Sequence, residues 1–299
     1  MTIIIKFFSS FCDSKHCKFT YENKLYQISK LLNYGIDKEI FITDEDNYTH
    51  VIILNTAMPM LKEGIPKKNV IGMAFEPIPF LHLSPSFIEY AQKNISKYFI
   101  GDKLDLPHPF MEGQSFMWYS PYIGSSYQSL EMYESLFVKK KRMSIIISQK
   151  RYAPGHEYRH KLVEVILSSN LPIDIYGRGH IYYKNKKDER IKGEFKQDSL
   201  EPYEEYDFHI AIENYQSNHY FSEKIIEPLL CNTTPIYLGC HNIETYFKNQ
   251  VIFLSGSVEK DMQLIEDILK NPNRYKKEID MKKIQKTVGL IENIENLFS

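Results

Sequence analysis

The sequence predicts an α/β protein built on parallel sheets, and three stretches carry that prediction. In the first 125 residues, the short apolar runs IIIKFF, EIFIT, VIILN and NVIGMAF alternate with loops and with a helical pattern at residues 27–35. A second strand-helix-strand pattern begins near Met143, and a third runs from Tyr206 to Gly239. Short apolar strands separated by helices are typical of parallel sheets, because each crossover helix packs on a face of the sheet.

Length and charge narrow the functional classes. The 299 residues are enough for two α/β domains or one large one. With 37 basic and 38 acidic residues the net charge is -1, which favours neither nucleic acid nor an anionic membrane as a partner. The sharpest charge run, Lys139 to Arg142, precedes the strand pattern MSIIIS and is interpreted as a linker between two domains. A nucleic-acid patch is disfavoured there because no aromatic residues are interleaved.

The amino-terminal sequence and the cysteines indicate the cellular compartment in which we expect the protein. The first apolar run is broken by Lys6 and is too short for a membrane span or a signal segment, so it predicts the first strand. The four cysteines form no CxxC pair, which favours free thiols in a reducing compartment over a disulfide framework or a zinc site. We therefore expect a soluble, cytoplasmic protein without an integral membrane segment; peripheral membrane association stays open.

The stretch from Tyr206 to Gly239 has the strongest functional signal. Phe208 to Ile212 predicts a strand buried on both faces, and the polar pair Glu213-Asn214 follows it directly. After a polar loop, Ser222 is placed to cap a helix, and Pro228 inside that helix predicts a kink. Open α/β sheets bind ligands where strands end and helices begin, and free helix N–H groups favour phosphate there. Taken alone, the helix-start pair Glu-Lys is equally compatible with an ordinary exposed pair.

Residues 210–239, IAIENYQSNHYFSEKIIEPLLCNTTPIYLG, resemble the signature of the α-1,3/4-fucosyltransferases, family 10 of the glycosyltransferases. That signature reads roughly F-E-N-S, a spacer, Y-x-[TS]-E-K-[IL], a helix and P-[IV]-x-x-G. The resemblance implies a GT-B fold with two Rossmann-like domains facing a cleft. Residues 1–138 would form the acceptor-side domain and residues 139–299 the domain that binds the nucleotide sugar. A carboxyl-terminal tail with helical spacing leaves open a return of the last helix to the first domain.

The resemblance also implies an activity: inverting transfer of L-fucose from GDP-fucose to a hydroxyl of an acceptor glycan. GDP-fucose would be the donor substrate, and no cofactor or metal would be required. Asp44-Glu45-Asp46 does spell the DxD pattern of metal-dependent transferases, but a solvated acidic loop is favoured, since a metal needs more oxygen ligands than this spelling supplies. Two alternatives stay open: a transferase of the same fold that uses another nucleotide sugar, and a catalytically silent protein that binds carbohydrate or nucleotide.

The candidate general base is Glu76, in the segment FEPIP that follows the strand pattern VIGMAF. A carboxylate held beside an apolar wall could have a raised pKa and accept a proton, although spacing alone favours a solvated glutamate at a strand end. The segment resembles the F-E-S-P segment of the family, whose glutamate is the catalytic base, so the resemblance assigns that role to Glu76. The residues after the glutamate depart from the family pattern, which leaves the local loop shape open.

The donor-binding candidates come from the second half. Arg159 lies near the start of a predicted helix, where a guanidinium can reach a diphosphate. From the sequence alone a surface arginine is favoured, and it is the resemblance that assigns diphosphate binding to it. Gly177-Arg178-Gly179 resembles the family's glycine-containing turn but is too short for a dinucleotide fingerprint. The complete donor-binding set is Arg159, Arg178, Glu213, Asn214, Tyr220, Glu223 and Lys224.

Overall fold

The computed structural model describes residues 2–21, 39–114, 137–195 and 200–299. The helix predicted at residues 27–35 lies outside the described residues. By their contacts the residues group into two compact units. The first consists of Met1–Leu130, Ser217–Ser222 and Gln285–Ser299, and the second of Glu131–Gln216 and Glu223–Ile284. Each unit therefore contains chain segments that are distant in sequence.

The first unit is built on a parallel sheet in the order β2-β1-β3-β4-β5-β6. Its strands are β1 (Ile3–Ser9), β2 (Ile40–Thr43), β3 (His50–Leu54), β4 (Val70–Met73), β5 (Lys97–Ile100) and β6 (Phe110–Glu112). Its amino-terminal part also contains α1 (Ser14–Thr20), a 3-10 turn at Lys67–Asn69, α2 (Ile78–Leu81) and α3 (Pro85–Asn94).

Both faces of this first sheet are covered, which explains why its central strand β3 reads HVIIL without a polar alternation. Ile52 and Leu54 point into one apolar cluster, and Val51 and Ile53 point into another that includes Phe87 of α3. Because side chains alternate along a strand, a strand with clusters on both sides has to be apolar at successive positions.

The second unit is built on another parallel sheet, in the order β12-β11-β10-β7-β8-β9. Its strands are β7 (Lys141–Ile146), β8 (Ile173–Tyr176), β9 (Ile191–Gly193), β10 (Tyr206–Ile212), β11 (Thr234–Leu238) and β12 (Ile252–Phe253). Renumbered within the unit, this is the order 6-5-4-1-2-3, which is that of the dinucleotide-binding Rossmann sheet. The order reverses between β7 and β10.

The helices of the second unit connect these strands. They are α4 (Pro154–Leu167), a 3-10 helix at Arg178–Lys186, α5 (Glu223–Leu230), a 3-10 turn at Ile243–Thr245, α6 (Val258–Lys270) and α7 (Pro272–Tyr275). Leu162 and Ile166 of α4, with Ile265 of α6, pack in one cluster against β7 and β10. The α5 segment contains Pro228 in its interior, as expected.

Two further helices, α8 (Met281–Val288) and α9 (Leu290–Phe298), follow α7. Ile294 and Leu297 of α9 are buried in the same apolar cluster as Ile5 and Ile52 of the first sheet. The carboxyl terminus is thereby part of the core of the first unit. The two parallel, helix-covered sheets confirm the α/β fold class.

The interpretation of the basic run as a linker is wrong for its second half. Lys141 and Arg142 are the first residues of β7 and not a connection that precedes it. Arg142 forms an ion pair of 2.9 Å with Asp207 on the neighbouring strand, and Lys140 pairs with Glu205 at 2.7 Å. Basic residues are accommodated at this strand start because acidic residues lie opposite them, Asp207 on β10 and Glu205 directly before it.

Lys139, the first residue of the run, has a structural role inside the second unit. Its Nζ donates hydrogen bonds to the Cys231 carbonyl at 2.7 Å and to the Thr233 hydroxyl at 2.8 Å. Burial lowers the pKa of this ammonium group to about 8. The lysine thus satisfies the Cys231 carbonyl and the Thr233 hydroxyl directly after the end of α5.

The acidic loop after β2 is ion-paired. Asp44 contacts the Lys18 ammonium at 3.0 Å, and Asp46 contacts the Lys6 ammonium at 2.9 Å. Across the described parts of the chain, no group of three or more His, Cys, Asp and Glu side chains is arranged to hold a metal ion. Nor is any helix in those parts both long enough and apolar enough to cross a bilayer.

Candidate functional site

The topology of the second sheet locates a candidate ligand site at the carboxyl ends of β7 and β10. In sheets of this strand order, ligands bind where the order reverses, because the connections from the two neighbouring strands leave in opposite directions and open a crevice. The chain after β7 leads into α4, and the chain after β10 begins with Glu213-Asn214. The two segments singled out in the sequence therefore meet at one edge of the sheet.

Glu213 is at the centre of this edge. Its side chain is 0% exposed, and its backbone N–H donates to the Leu238 carbonyl at 2.8 Å. Two glycines allow the chain to pack around it. A Cβ atom at Gly155 would lie 1.8 Å from the Glu213 carbonyl oxygen, and one at Gly239 would lie 2.5 Å from Glu213 Cγ. Only glycine fits at either position with this backbone, so α4 can begin and β11 can end directly against the glutamate.

Arg159 is oriented by hydrogen bonds on this edge. It lies in the second turn of α4, its residue exposure is 5%, and its Nε donates to the Gly155 carbonyl at 3.0 Å. One terminal nitrogen, Nη2, donates to Asn214 Oδ1 at 2.6 Å. A guanidinium donates through a planar, fixed fork of N–H groups, so these two bonds fix the plane of the Arg159 side chain.

Lys224, in the first turn of α5, supplies a second cation. Its Nζ lies 2.7 Å from a carboxylate oxygen of Glu223 and 3.7 Å from one of Glu213. Burial by itself would lower the pKa of this lysine, but the Glu223 and Glu213 carboxylates outweigh burial and raise it, while Arg159 opposes them. Lys224 is accordingly a protonated cation at neutral pH, electrostatically coupled to the guanidinium of Arg159.

His156 is a site residue that sequence reasoning missed. It is 3% exposed, and its Nδ1 accepts a hydrogen bond from the Ala153 N–H at 3.2 Å. Burial, followed by the positive charges of Arg159 and Lys224, lowers its pKa to about 4. The imidazole is therefore neutral at physiological pH, and its lowered pKa reflects in part the positive electrostatic potential that Arg159 and Lys224 produce around it. Nothing in the pattern around residue 156 distinguishes it from an ordinary helix-start histidine.

The structure brings together five of the predicted donor-binding residues. Arg159 contacts Asn214, Lys224 contacts Glu213 and Glu223, and the two groups are joined because Glu213 and Asn214 are adjacent in the chain. Arg178 is placed elsewhere, at the start of the 3-10 helix after β8. Its side chain is 63% exposed and lies 4.0 Å from the Glu194 carboxylate. Tyr220 is 4% exposed and lies in the segment Ser217–Ser222, which groups with the first unit.

Glu76 follows β4 in the first unit and is half-buried. The backbone in front of it is held by Asn55, at the end of β3. Asn55 Oδ1 accepts from the Phe75 N–H at 2.8 Å, and the Asn55 N–H donates to the Met73 carbonyl at 2.9 Å. The Tyr98 hydroxyl donates to the Asn55 carbonyl at 2.8 Å. The strand end that carries Glu76 is thus tied to two neighbouring strands, a support that the sequence did not reveal.

Comparison with known proteins gives the family. The family model for the carboxyl-terminal part of glycosyltransferase family 10 (fucosyltransferase) matches residues 137–288, about half of the chain. The chain belongs to glycosyltransferase family 10. The match covers Arg159 and the edge formed by Glu213, Asn214 and Lys224, but not the strand end that carries Glu76. The resemblance noted in the sequence and the assignment to the glycosyltransferase class of enzymes are confirmed.

Individual relatives agree with this assignment. A putative fucosyltransferase-like protein of Arabidopsis thaliana is 26% identical over 125 residues, which are 40% of this chain and 22% of that protein. The fold resembles a crystal structure of an α1,3-fucosyltransferase with GDP-fucose, with a TM-score of 0.53, 16% identity, and coverage of 92% of this chain and 80% of the other.

A second α1,3-fucosyltransferase structure, with GDP, gives a TM-score of 0.52 at 14% identity and covers 99% of this chain and 92% of that one. Anabaena HepE in complex with UDP-glucose gives a TM-score of 0.50 at 9% identity, with 100% of this chain and 96% of that chain covered. At such identities these similarities concern the fold, and they confirm the GT-B fold class.

Proposed function

We propose that the protein transfers L-fucose from GDP-fucose to a hydroxyl of an acceptor glycan, with inversion at the anomeric carbon. One observation carries the donor half of the proposal: the connected contacts of Arg159, Asn214, Glu213 and Lys224 at the strand-order reversal of a Rossmann sheet. Two cations at that edge suit the two phosphates of a nucleoside diphosphate. Family membership supports the choice of fucose.

The reaction we propose breaks the bond between the anomeric carbon and the β-phosphate oxygen of the donor. The acceptor oxygen forms the new bond from the opposite face, and its proton passes to the carboxylate of Glu76. The negative charge that leaves with GDP is stabilised by Arg159 and Lys224, which are fixed before the donor arrives. In this mechanism the charge stabilisation comes from side chains, so the proposal expects transfer to persist in EDTA.

The donor residues have separate tasks in this proposal. The guanidinium of Arg159 keeps its orientation because Asn214 and the Gly155 carbonyl hold it, and its positive charge would stabilise the diphosphate. Lys224 neutralises the diphosphate and is kept protonated by Glu213 and Glu223. Glu223, whose side chain is 36% exposed, also has room to accept hydrogen bonds from sugar or ribose hydroxyls. A donor-binding contribution of Tyr220 and Arg178 belongs to the proposal as well.

The decisive experiment for the base is Glu76→Gln, which preserves shape but removes the proton acceptor. Transfer should fall by roughly a thousandfold, within the range expected for loss of a general base. Binding of GDP, measured by calorimetry, should stay within twofold, because in this proposal Glu76 acts on the acceptor hydroxyl and not on the nucleotide. Glu89→Gln, a glutamate change on the exposed face of α3, is the matched control. Normal turnover by the Glu76→Gln protein would remove Glu76 from the mechanism.

A donor panel separates the two alternatives. GDP-fucose, GDP-mannose, UDP-glucose and UDP-N-acetylglucosamine are each assayed for nucleotide release with and without a mixture of acceptor glycans. Acceptor-dependent release from GDP-fucose supports the proposal. Release from a different donor identifies a transferase of the same fold with another sugar. Binding of a donor without release in any combination identifies a catalytically silent binding protein.

A further inference from the structure

The loop Ser217–Ser222, which lies inside the family signature, is held by hydrogen bonds to a residue that the sequence did not single out. Asp102 follows β5, and its carboxylate accepts two hydrogen bonds from Asn218. The backbone N–H of Asn218 donates to Oδ2 at 3.0 Å, and the side-chain Nδ2 donates to Oδ1 at 2.8 Å. A carboxylate that receives two donors from one residue fixes both the position and the orientation of that residue, and charge-assisted bonds of this kind are stronger than neutral ones.

The residue before this aspartate also contributes. A Cβ atom at Gly101 would lie 2.8 Å from the carbonyl oxygen of Asn218 and 3.2 Å from the Ser217 hydroxyl. It would also lie 3.6 Å from Cβ of Tyr220, which is ordinary contact. Gly101 therefore lets the backbone of the loop approach β5 closely, and Asp102 then holds it there.

The fastened segment, Ser217–Ser222, is largely buried. Ser217 is 5% exposed, Tyr220 4% and Phe221 0%, while His219 has a left-handed backbone with φ of 57°. Along the chain, four residues separate the segment from the end of β10 at Ile212, and it ends at Ser222, directly before the first residue of α5. The segment contains Tyr220 and is covalently continuous with α5, whose first turn carries Lys224.

We propose that Asp102 is a positioning residue for the nucleoside diphosphate sugar. By holding Asn218, it sets the loop that presents Tyr220 and leads into the α5 amino terminus, so that the donor site is organised before the donor binds. Preorganisation of this kind lowers the entropy that binding would otherwise have to overcome. The inference rests on the proposed function, since it concerns the same donor, but it assigns a role to a residue outside the family signature.

The test is an exchange of the two side chains. Asp102→Asn leaves one acceptor oxygen for two donors and turns an amide group toward Asn218, so one bond is lost. Asn218→Asp places two carboxylates opposite each other. In the double variant both bonds can form again: the amide oxygen at position 102 accepts from the backbone N–H of residue 218. Its amide nitrogen donates to the new carboxylate.

We expect each single variant to raise KM for GDP-fucose and the calorimetric Kd for GDP by roughly tenfold, because donor binding would then have to order a loop that has lost one charge-assisted hydrogen bond. The double variant should recover to within about threefold of the wild type, as a double-mutant cycle requires for a direct contact. The value of kcat at saturating donor should change less than KM. Asn218→Ala, which keeps the backbone bond and removes only the side-chain bond, gives a milder variant whose KM should rise several-fold.

The controls separate positioning from folding. Asp105→Asn alters an exposed aspartate three residues after Asp102, between β5 and β6, and should leave KM for the donor unchanged. Thermal unfolding of every variant is measured alongside. A lowered Tm with an unaltered KM and Kd for the donor would overturn the inference, because the contact would then serve stability alone. Single variants that weaken donor binding without recovery in the double variant would equally refute the paired contact.

The proposed function and this inference fail differently. Wild-type protein that binds neither GDP nor GDP-fucose would refute both. Wild-type protein that binds and transfers fucose, together with Asp102→Asn and Asn218→Ala proteins whose donor KM equals the wild-type value, would leave the proposed function standing and refute the positioning role of Asp102 alone.

Discussion

Replacing Arg159 by lysine tests whether geometry, in addition to charge, organises the donor edge. The substitution keeps a cation in a position that is 5% exposed. It removes the planar fork that donates to the Gly155 carbonyl at 3.0 Å and to Asn214 Oδ1 at 2.6 Å. An ammonium on a shorter, flexible stem has no second fixed donor at that spacing, so it cannot reproduce both bonds.

The size of the effect follows from the contacts that the oriented fork would make with the diphosphate. A hydrogen bond from a charged group contributes about 1.5–3 kcal/mol, and an ammonium would replace two parallel bonds to a phosphate by one. A loss of one such bond corresponds to roughly a ten- to hundredfold weaker complex, at about 1.4 kcal/mol for each factor of ten. We expect Arg159→Lys to weaken GDP binding by that factor and to lower kcat/KM for GDP-fucose at least as much.

The assay is calorimetric titration with GDP at a temperature well below the unfolding midpoint of each protein. Arg142→Lys is the matched control, because Arg142 forms an ion pair at the opposite end of β7, with its side chain 54% exposed. Such exposed pairs contribute little, so its GDP affinity should be unchanged. A Kd for GDP within twofold of wild type in the Arg159→Lys protein would refute the argument that the oriented fork matters.

Two further outcomes are expected. Burial, and next the charge of Arg159, lowers the pKa of His209 from its usual 6.5 to about 3. The buried neutral imidazole therefore contributes its full stabilisation above pH 6.5, and this contribution is lost as the pH falls toward 3. His209→Asn keeps a donor for the Ser144 hydroxyl, 2.8 Å away, and should flatten the decline in urea midpoint below pH 6.5. Gly155→Ala should abolish GDP binding, because its Cβ would lie 1.8 Å from the Glu213 carbonyl oxygen; calorimetry on folded protein checks it, and undiminished affinity would contradict the packing argument.

Local features of the chain were predictable where they depend on neighbouring residues. The aromatic and β-branched run before Glu213 predicted a strand, and β10 ends at Ile212. The serine and acidic residue at the helix start predicted the beginning of α5, which begins at Glu223. Strand periodicity and helix-start chemistry act within a few residues, so a sequence read in order reveals them.

Other features depend on contacts between distant positions and were not predictable. The sequence alone favoured a surface position for Arg159, whereas the residue is 5% exposed because Asn214 approaches it from another strand end. The contact between Asp102 and Asn218 joins residues that are 116 positions apart. Arg178 shows the reverse: its position between two glycines suggested a donor-binding turn, but its side chain is 63% exposed and lies beside Glu194. Such contacts are determined by the order of the strands in the sheets, and no short stretch of sequence indicates that order.

The assignment of Ser217–Ser222 and Gln285–Ser299 to the first unit limits how the protein can be dissected. A fragment cut at the borders of the family match, residues 137–288, would contain the loop Ser217–Ser222 without Gly101 and Asp102. The same cuts would separate the first sheet from the apolar side chains of α9 that pack against it. Exchanging halves between relatives would face the same obstacle. Chimeras of this enzyme should therefore take the loop and the carboxyl-terminal helix from the parent that supplies the first sheet.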